Sequence, residues 1–257
     1  MFVINLPVDI DRKQAIEKRL KKLGATYEIA PGIYGDDPLV IERYDEKRAV
    51  KEHGKPLIFG EKGCAVAHSL VYERIVRDQI PYSVILEDDI LLPDDFLEIV
   101  EKEIHKNNKV WDWLSFDYRY VGAIFLRQWF RASYTTIKNN PLFFFYALAK
   151  APYISVLSFF EGLRNKRARE NPDLSGAKKF YRPLYNAGAY ALTLEGAKKL
   201  LPFTNPLRLT ADQVPNVARV KSDFVMRGYV PLSVKQNTVD YETGAGKTEK
   251  EWAKIKR

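Results

Sequence analysis

The sequence predicts an α/β fold, a Rossmann-like, mostly parallel sheet flanked by helices. Three observations predict it. Short apolar runs rich in β-formers alternate with stretches that repeat apolar residues at helical spacing. The first thirty residues read as strand, helix, strand, and a later buried-type strand runs directly into three consecutive carboxylates. At 257 residues, the chain has room for one such domain with an insertion.

Taking the elements in order, Phe2 to Leu6 is a short strand that leads into Asp9 and Asp11, with apolar Ile16, Leu20 and Leu23 behind them. Acidic residues suit the positive end of a helix and Lys18 to Lys22 suit its other end, while Gly24 provides a C-terminal stop. Thr26 to Ala30 completes a βαβ-like beginning. Gly60-Glu61-Lys62-Gly63 opens a second helix whose Cys64, Ala67, Leu70, Val71 and Ile75 share a face, so Cys64 is expected to be a packed core thiol. Pro81 to Leu86 is a buried strand, Phe96 to Ile104 a helix, Tyr185 to Thr193 a strand and Leu194 to Leu201 a short helix. Past Val239 the chain becomes a polar, basic tail.

Residues from about 121 to 182 differ in character. Aromatics crowd this stretch (Phe125, Trp129, Phe130, Phe143, Phe144, Phe145, Phe159 and Phe160 among them), and Arg164, Lys166, Arg167 and Arg169 follow. It reads as a helical insertion within a single domain. Pro141, Lys150 and Pro152 interrupt its least polar part, which falls short of the ~20 clean apolar residues a spanning helix needs. Two readings remain for it: a subdomain with a buried aromatic face, or a surface for an anionic bilayer or acceptor.

The formal net charge of +8 favours polyanionic partners, whether phosphorylated glycan, acidic lipid, nucleotide or nucleic acid. No helix-turn-helix, zinc or RNA-recognition signature supports nucleic acid. Cys64 is the single cysteine, which excludes an internal disulfide and suits a reducing compartment. The start of the chain lacks the basic and apolar regions of a signal peptide, so a cytoplasmic protein is expected.

Glu87, Asp88 and Asp89 end their strand at the sheet edge where open α/β folds bind ligands. Residues two apart in an extended chain point the same way, so Glu87 and Asp89 are placed to converge on one cation while Asp88 faces elsewhere. Oxygen ligands favour Mn²⁺ or Mg²⁺. The competing reading is a solvated acidic run that caps the following segment.

Several blocks together carry a resemblance: Val3-Ile4-Asn5-Leu6 with Arg12, Gly60-x-x-Gly63-Cys64-x-x-Ala67-His68, Ile85-Leu86-Glu87-Asp88-Asp89, and Ala189-Tyr190-x-Leu192-x-x-x-Gly196-Ala197 followed by Asp212. In this order they resemble glycosyltransferase family 25, which includes lipooligosaccharide galactosyl- and glucosyltransferases and collagen galactosyltransferases. The resemblance implies a GT-A-like fold, inversion at the anomeric carbon, a UDP-galactose or UDP-glucose donor, and a metal site of the DxD type filled by Glu87 and Asp89. It implies donor contacts from Asn5, Leu6, Arg12, His68, Glu87, Asp88 and Asp89, and a general base at Asp212, with Asp223 in reserve. A helix N-cap is the plain alternative for Asp212, a structural hydrogen-bond donor for His68, and an ion pair with Asp9 or Asp11 for Arg12.

The chain departs from the family at Ala67, where a serine is usual, and in having no histidine after His105. Gln236, Asp240, water or diphosphate oxygens would then complete the metal shell. The expected acceptor is a lipooligosaccharide core on the inner face of a bacterial inner membrane, held peripherally through Arg164, Lys166, Arg167 and Arg169. The contrasting expectation is a basic nucleic-acid- or membrane-binding protein that keeps the fold without transferase activity.

Overall fold

A computed structural model describes residues 1–53, 55–106, 110–118, 156–157, 159–181 and 183–237. Most of the aromatic stretch, Arg182, the basic tail and Asp240 lie outside the described residues. The chain divides into two compact units, one of residues 1–118 with 177–257 and one of 119–176.

In the larger unit, β1 (Phe2–Asn5) leads through α1 (Ile10–Leu23) to β2 (Glu28–Pro31), the predicted opening. Gly24 closes α1 in the left-handed conformation (φ 72°), its N–H donating back to Leu20 and Lys21. Two short helices that the sequence pattern did not suggest follow, α2 (Pro38–Arg43) and α3 (Glu46–His53). The long α4 (Phe59–Arg77) then leads to β3 (Tyr82–Glu87), the two-residue strand β4 (Ile90–Leu91) and α5 (Phe96–Ile104). After β5 (Trp113–Ser115) and the short β6 (Gly176–Lys178) come β7 (Ala189–Thr193), α6 (Leu194–Thr204), α7 (Gln213–Lys221), β8 (Met226–Val230) and β9 (Lys235–Gln236).

Seven strands form one sheet in the order β2-β1-β3-β7-β5-β8-β6, and β4 pairs with β9 apart from it. The sheet is mostly parallel: β1 runs with β2 and β3, and β5 runs with β8, while β7 is reversed against both neighbours. A five-residue strand flanked by α6 gains the same burial in either direction. The predicted strand from Tyr185 is shorter than expected, because its first four residues form the approach to Ala189 and carry Asn186 at positive φ.

Val3, Val84, Leu86, Leu114 and Ala191 face Ile16, Leu20, Phe96 and Val100 in one dry cluster, which anchors α1 and α5. Val40, Ala49, Leu57, Val66 and Leu207 form a second cluster that seats α2 and α3 against α4. Two glycines let the loop before α2 lie flush on the start of α4. A Cβ at Gly35 would stand 2.2 Å from the Phe59 carbonyl oxygen, and one at Gly63 would stand 2.0 Å from that of Ile33.

In the smaller unit, residues 159–170 are helical. Lys166, Arg167 and Arg169 are exposed along it, and Phe159 and Phe160 are exposed edge-to-face neighbours. Arg164 is half-buried. Among the described residues, no helix is long and apolar enough to cross a membrane.

Candidate active site

The register of the sheet assembles the site. Because β1 and β3 are parallel with Ile4 beside Glu87, the next residues, Asn5 and Asp88, emerge side by side at the carboxyl edge. Asn5 Nδ2 donates to Asp88 Oδ2 at 2.6 Å and to the Asp9 carbonyl at 3.1 Å, tying strand end to helix start. Arg12, on the first turn of α1, stands 3.5 Å from Asp88 Oδ1 and 4.0 Å from Asp89 Oδ2. Arg12 therefore pairs across the chain with the triplet.

The antiparallel β4–β9 pair supplies the third side. Ile90 pairs with Gln236, so Gln236 Nε2 donates to Asp89 Oδ2 at 2.9 Å and the Asn237 amide donates to the Asp89 carbonyl at 2.6 Å. Asp89 Oδ1 is buried and accepts no hydrogen bond. A buried, unpartnered carboxylate oxygen is what a hard divalent cation requires, so the donor set at this edge fits such an ion. Gln236 turns its amide nitrogen to Asp89, and nitrogen cannot ligate there; of its groups, only the carbonyl would remain for a metal.

Glu87 turns the other way, toward α4. Its Oε1 lies 3.3 Å from His68 Nε2 and 3.6 Å from Cys64 Sγ. His68 Nδ1 meets the Tyr190 hydroxyl at 2.7 Å, and Tyr190 meets the Tyr72 hydroxyl at 3.0 Å. Trp113 stacks on Tyr190 with centroids 3.5 Å apart, fixing the ring from β5. The helical spacing of Cys64 was expected to make it a core thiol. It instead lines a cleft and contacts Glu87, because α4 presents it at the strand edge where the neighbouring residue is a carboxylate and not an apolar side chain.

That cleft encloses about 770 Å³ of non-protein space, open solvent included. Leu6, Ile33, Tyr34 and Phe59 give it an apolar wall, and Arg12, Glu87, Asp88, Asp89 and Gln236 a polar one. Asn5 and His68 are buried behind the lining, at 4% and 1% exposure, and act on the cleft through Asp88 and Glu87.

Electrostatics follow from crowding and burial. Burial lifts the Asp88 carboxyl to about 7 against the opposing pull of Asn5 and Arg12. Burial, then the charge of Glu87, raises Asp89 to about 6. Burial also works to raise Glu87, but the His68 hydrogen bond and charge, with help from Cys64 and Arg12, hold it below the usual carboxylate value. Burial, followed by the Glu87 charge, pushes the Cys64 thiol well up.

Asp117, which the sequence reading missed, belongs to this field. It lies beyond β5, takes backbone hydrogen bonds from Ala189 and Gly188, and is raised well above the ordinary value by burial and then by Glu87. Its Oδ1 is also buried without a hydrogen-bond partner. A signal was present: the short stretch Trp113-Leu114-Ser115-Phe116, apolar but for Ser115, ends in a carboxylate as Val84 to Leu86 does.

The remaining candidates are not among the residues that line the cleft. Asp212 is half-buried; its Oδ1 accepts from Thr210 Oγ1 at 2.6 Å and its Oδ2 from the Asn186 amide at 3.4 Å. It precedes α7 without capping it through its side chain. Asp223 is exposed and pairs with Lys199 at 3.1 Å, a surface ion pair.

A family profile described as "Glycosyltransferase family 25 (LPS biosynthesis protein)" matches residues 1–215 of this chain, which takes in all of these site residues except Gln236 and Asp223. The chain belongs to glycosyltransferase family 25. Among curated relatives, this family 25 chain is similar to procollagen galactosyltransferase 1-A of Xenopus laevis, 26% identical over 112 residues, and to procollagen galactosyltransferase 1-B of the same frog, 25% over 113 residues. Each match covers 41% of this chain and 18% of the relative, so the chain corresponds to less than a fifth of those proteins' length. The mixed sheet with its carboxylate-bearing edge is consistent with the GT-A-like architecture of glycosyltransferases.

Proposed function

We propose that the chain transfers galactose, or glucose, from its UDP conjugate to a lipooligosaccharide core acceptor, inverting the anomeric carbon and using a divalent cation. The observation that carries this reading is the buried, unpartnered Asp89 Oδ1 at the rim of a cleft that also offers Arg12 and an aromatic wall. Tyr34 and Phe59 suit a nucleobase, and Arg12 suits a diphosphate. Galactose is favoured by the likeness to the two procollagen galactosyltransferases.

Asp89 through Oδ1, and Glu87 through the oxygen that does not face His68, would hold the cation, Mn²⁺ or Mg²⁺. When bound, it neutralises the negative charge that the UDP leaving group acquires as the glycosidic bond breaks. The residues of the chain prepare that event. Asn5 and Arg12 fix Asp88 and so orient the strand end; Gln236 leaves one Asp89 oxygen free to ligate; His68, 3.3 Å from Glu87 Oε1, holds that side chain in place. Asp212, kept in place by Thr210 and Asn186, is our candidate to take the proton of the acceptor hydroxyl. Lys166, Arg167 and Arg169 offer charge to a phosphorylated, lipid-anchored acceptor at a membrane surface.

Calorimetric titration with UDP tests the donor site. Binding is expected with Mn²⁺, is expected to vanish with chelator, and is expected to be absent from Asp89→Ala. UDP binding indifferent to both metal and Asp89 would overturn the metal assignment, and no UDP binding under either condition would overturn the donor assignment.

A further inference from the structure

The geometry points to a second cation site, soft in its ligands, formed by Cys64 Sγ, His68 Nε2 and Glu87 Oε1 and suited to Zn²⁺. This inference goes beyond the donor reading and shares one residue with it, Glu87, which enters here through Oε1. The three ligand atoms all lie within 4.8 Å of one another. Metal–ligand bonds of about 2.3 Å for sulfur and about 2.0–2.1 Å for nitrogen and oxygen, at tetrahedral angles, place the oxygen roughly 3.3 Å from the nitrogen and roughly 3.5 Å from the sulfur. The observed separations from Glu87 Oε1 are 3.3 Å and 3.6 Å, close to both values, and Cys64 Sγ lies within 4.8 Å of His68 Nε2.

Local structure explains the convergence. Cys64 and His68 are four apart on α4 and share one face, while β3 delivers Glu87 to that face. Outside the ligands, the Tyr190 hydroxyl holds His68 Nδ1 at 2.7 Å. If Nδ1–H donates to Tyr190 and Tyr190 to Tyr72, the Nε2 lone pair faces a carboxylate oxygen, an arrangement that a cation between them stabilises. Cys64 and Glu87 also line the cleft, which gives the ion an open position toward it. Three protein ligands with one open position is the pattern of a reactive zinc site more than of a purely structural one.

The donor set separates this site from the carboxylate edge. Thiolate and imidazole select Zn²⁺ or Co²⁺, whereas Asp89 Oδ1 selects a hard ion. Loading replaces the Cys64 S–H bond by a sulfur–metal bond and releases one proton to solvent.

The test uses the full chain, stripped with chelator and titrated with Co²⁺ and then Zn²⁺. A thiolate-to-Co²⁺ charge-transfer band in the near ultraviolet, displaced by one equivalent of Zn²⁺, is expected, and it should vanish in Cys64→Ser and His68→Gln. Asp89→Ala should keep the band even if it loses Mn²⁺-dependent UDP binding, which separates this inference from the donor reading. Tyr190→Phe should weaken Zn²⁺ about 10–100-fold, as loss of an outer hydrogen bond to a ligating histidine does. Circular dichroism checks that each variant is folded; should Cys64→Ser unfold, the wild-type band and its response to Tyr190→Phe decide. Absence of the band from the wild-type chain, or its persistence in folded Cys64→Ser, overturns the site.

Discussion

Asp89→Asn should make the metal-free protein more stable at alkaline pH, because the wild-type carboxylate is ionised there at a cost. Its carboxyl is raised from 3.8 to about 6 by burial and by Glu87. A folded state that holds its proton more tightly than the unfolded chain loses stability as pH rises from the unfolded value through the folded one, and the loss is complete above about 6. At about 1.4 kcal/mol for each tenfold change in proton affinity, roughly two decades amount to about 3 kcal/mol. About 1 kcal/mol of this has already accrued by about pH 4.5, so roughly 2 kcal/mol should develop between there and about pH 8.

The asparagine keeps an oxygen for Gln236 but places an N–H where Oδ1 had no partner, a penalty of about 1–3 kcal/mol that does not vary with pH. The informative quantity is therefore a difference of differences. Relative to wild type in chelator, the variant should gain roughly 2 kcal/mol on moving from about pH 4.5 to about pH 8, or roughly 4–8 °C in Tm. Thermal and urea unfolding at both pH values measure it. Mn²⁺ at about a hundred times its Kd should then add roughly 2.7 kcal/mol to wild type and nothing to the variant. An identical variant-minus-wild-type difference at both pH values would refute the argument, since it would mean that the carboxylate carries no burial cost.

Gly63→Ala should destabilise the protein by about 1–3 kcal/mol or more, because its Cβ would stand 2.0 Å from a backbone oxygen of Ile33; a denaturation midpoint no lower than that of wild type would contradict the close approach. Asp212→Asn should lower kcat about 10²–10⁴-fold with UDP affinity spared, as removal of a general base does; unchanged transfer kinetics would move the base elsewhere. Replacing Lys166, Arg167 and Arg169 together by alanine should weaken binding to acidic vesicles on the order of a hundredfold at low salt, at about 1 kcal/mol per cation, and co-sedimentation that does not change would dismiss the membrane role.

Periodicity and turn chemistry in the sequence determined much of this protein. The β1–α1–β2 opening, the long α4, the β3 strand that runs into Glu87-Asp88-Asp89, and the stop at Gly24 are local features, written in residues next to one another. The motif blocks likewise identified the family. What the sequence could not supply was the identity of neighbours across the sheet. Asn5 meets Asp88 because two parallel strands share a register, and Gln236 meets Asp89, 147 positions away, because β4 and β9 pair antiparallel. Cys64 shows the difference most plainly. Its spacing along α4 gave the correct helix face, but only packing decided that this face meets a carboxylate and a cleft at that point, and that turned an expected core thiol into a candidate metal ligand. Helical spacing is fixed by bonds a few residues apart; what a face touches is fixed by strand order and register, which depend on the whole chain at once.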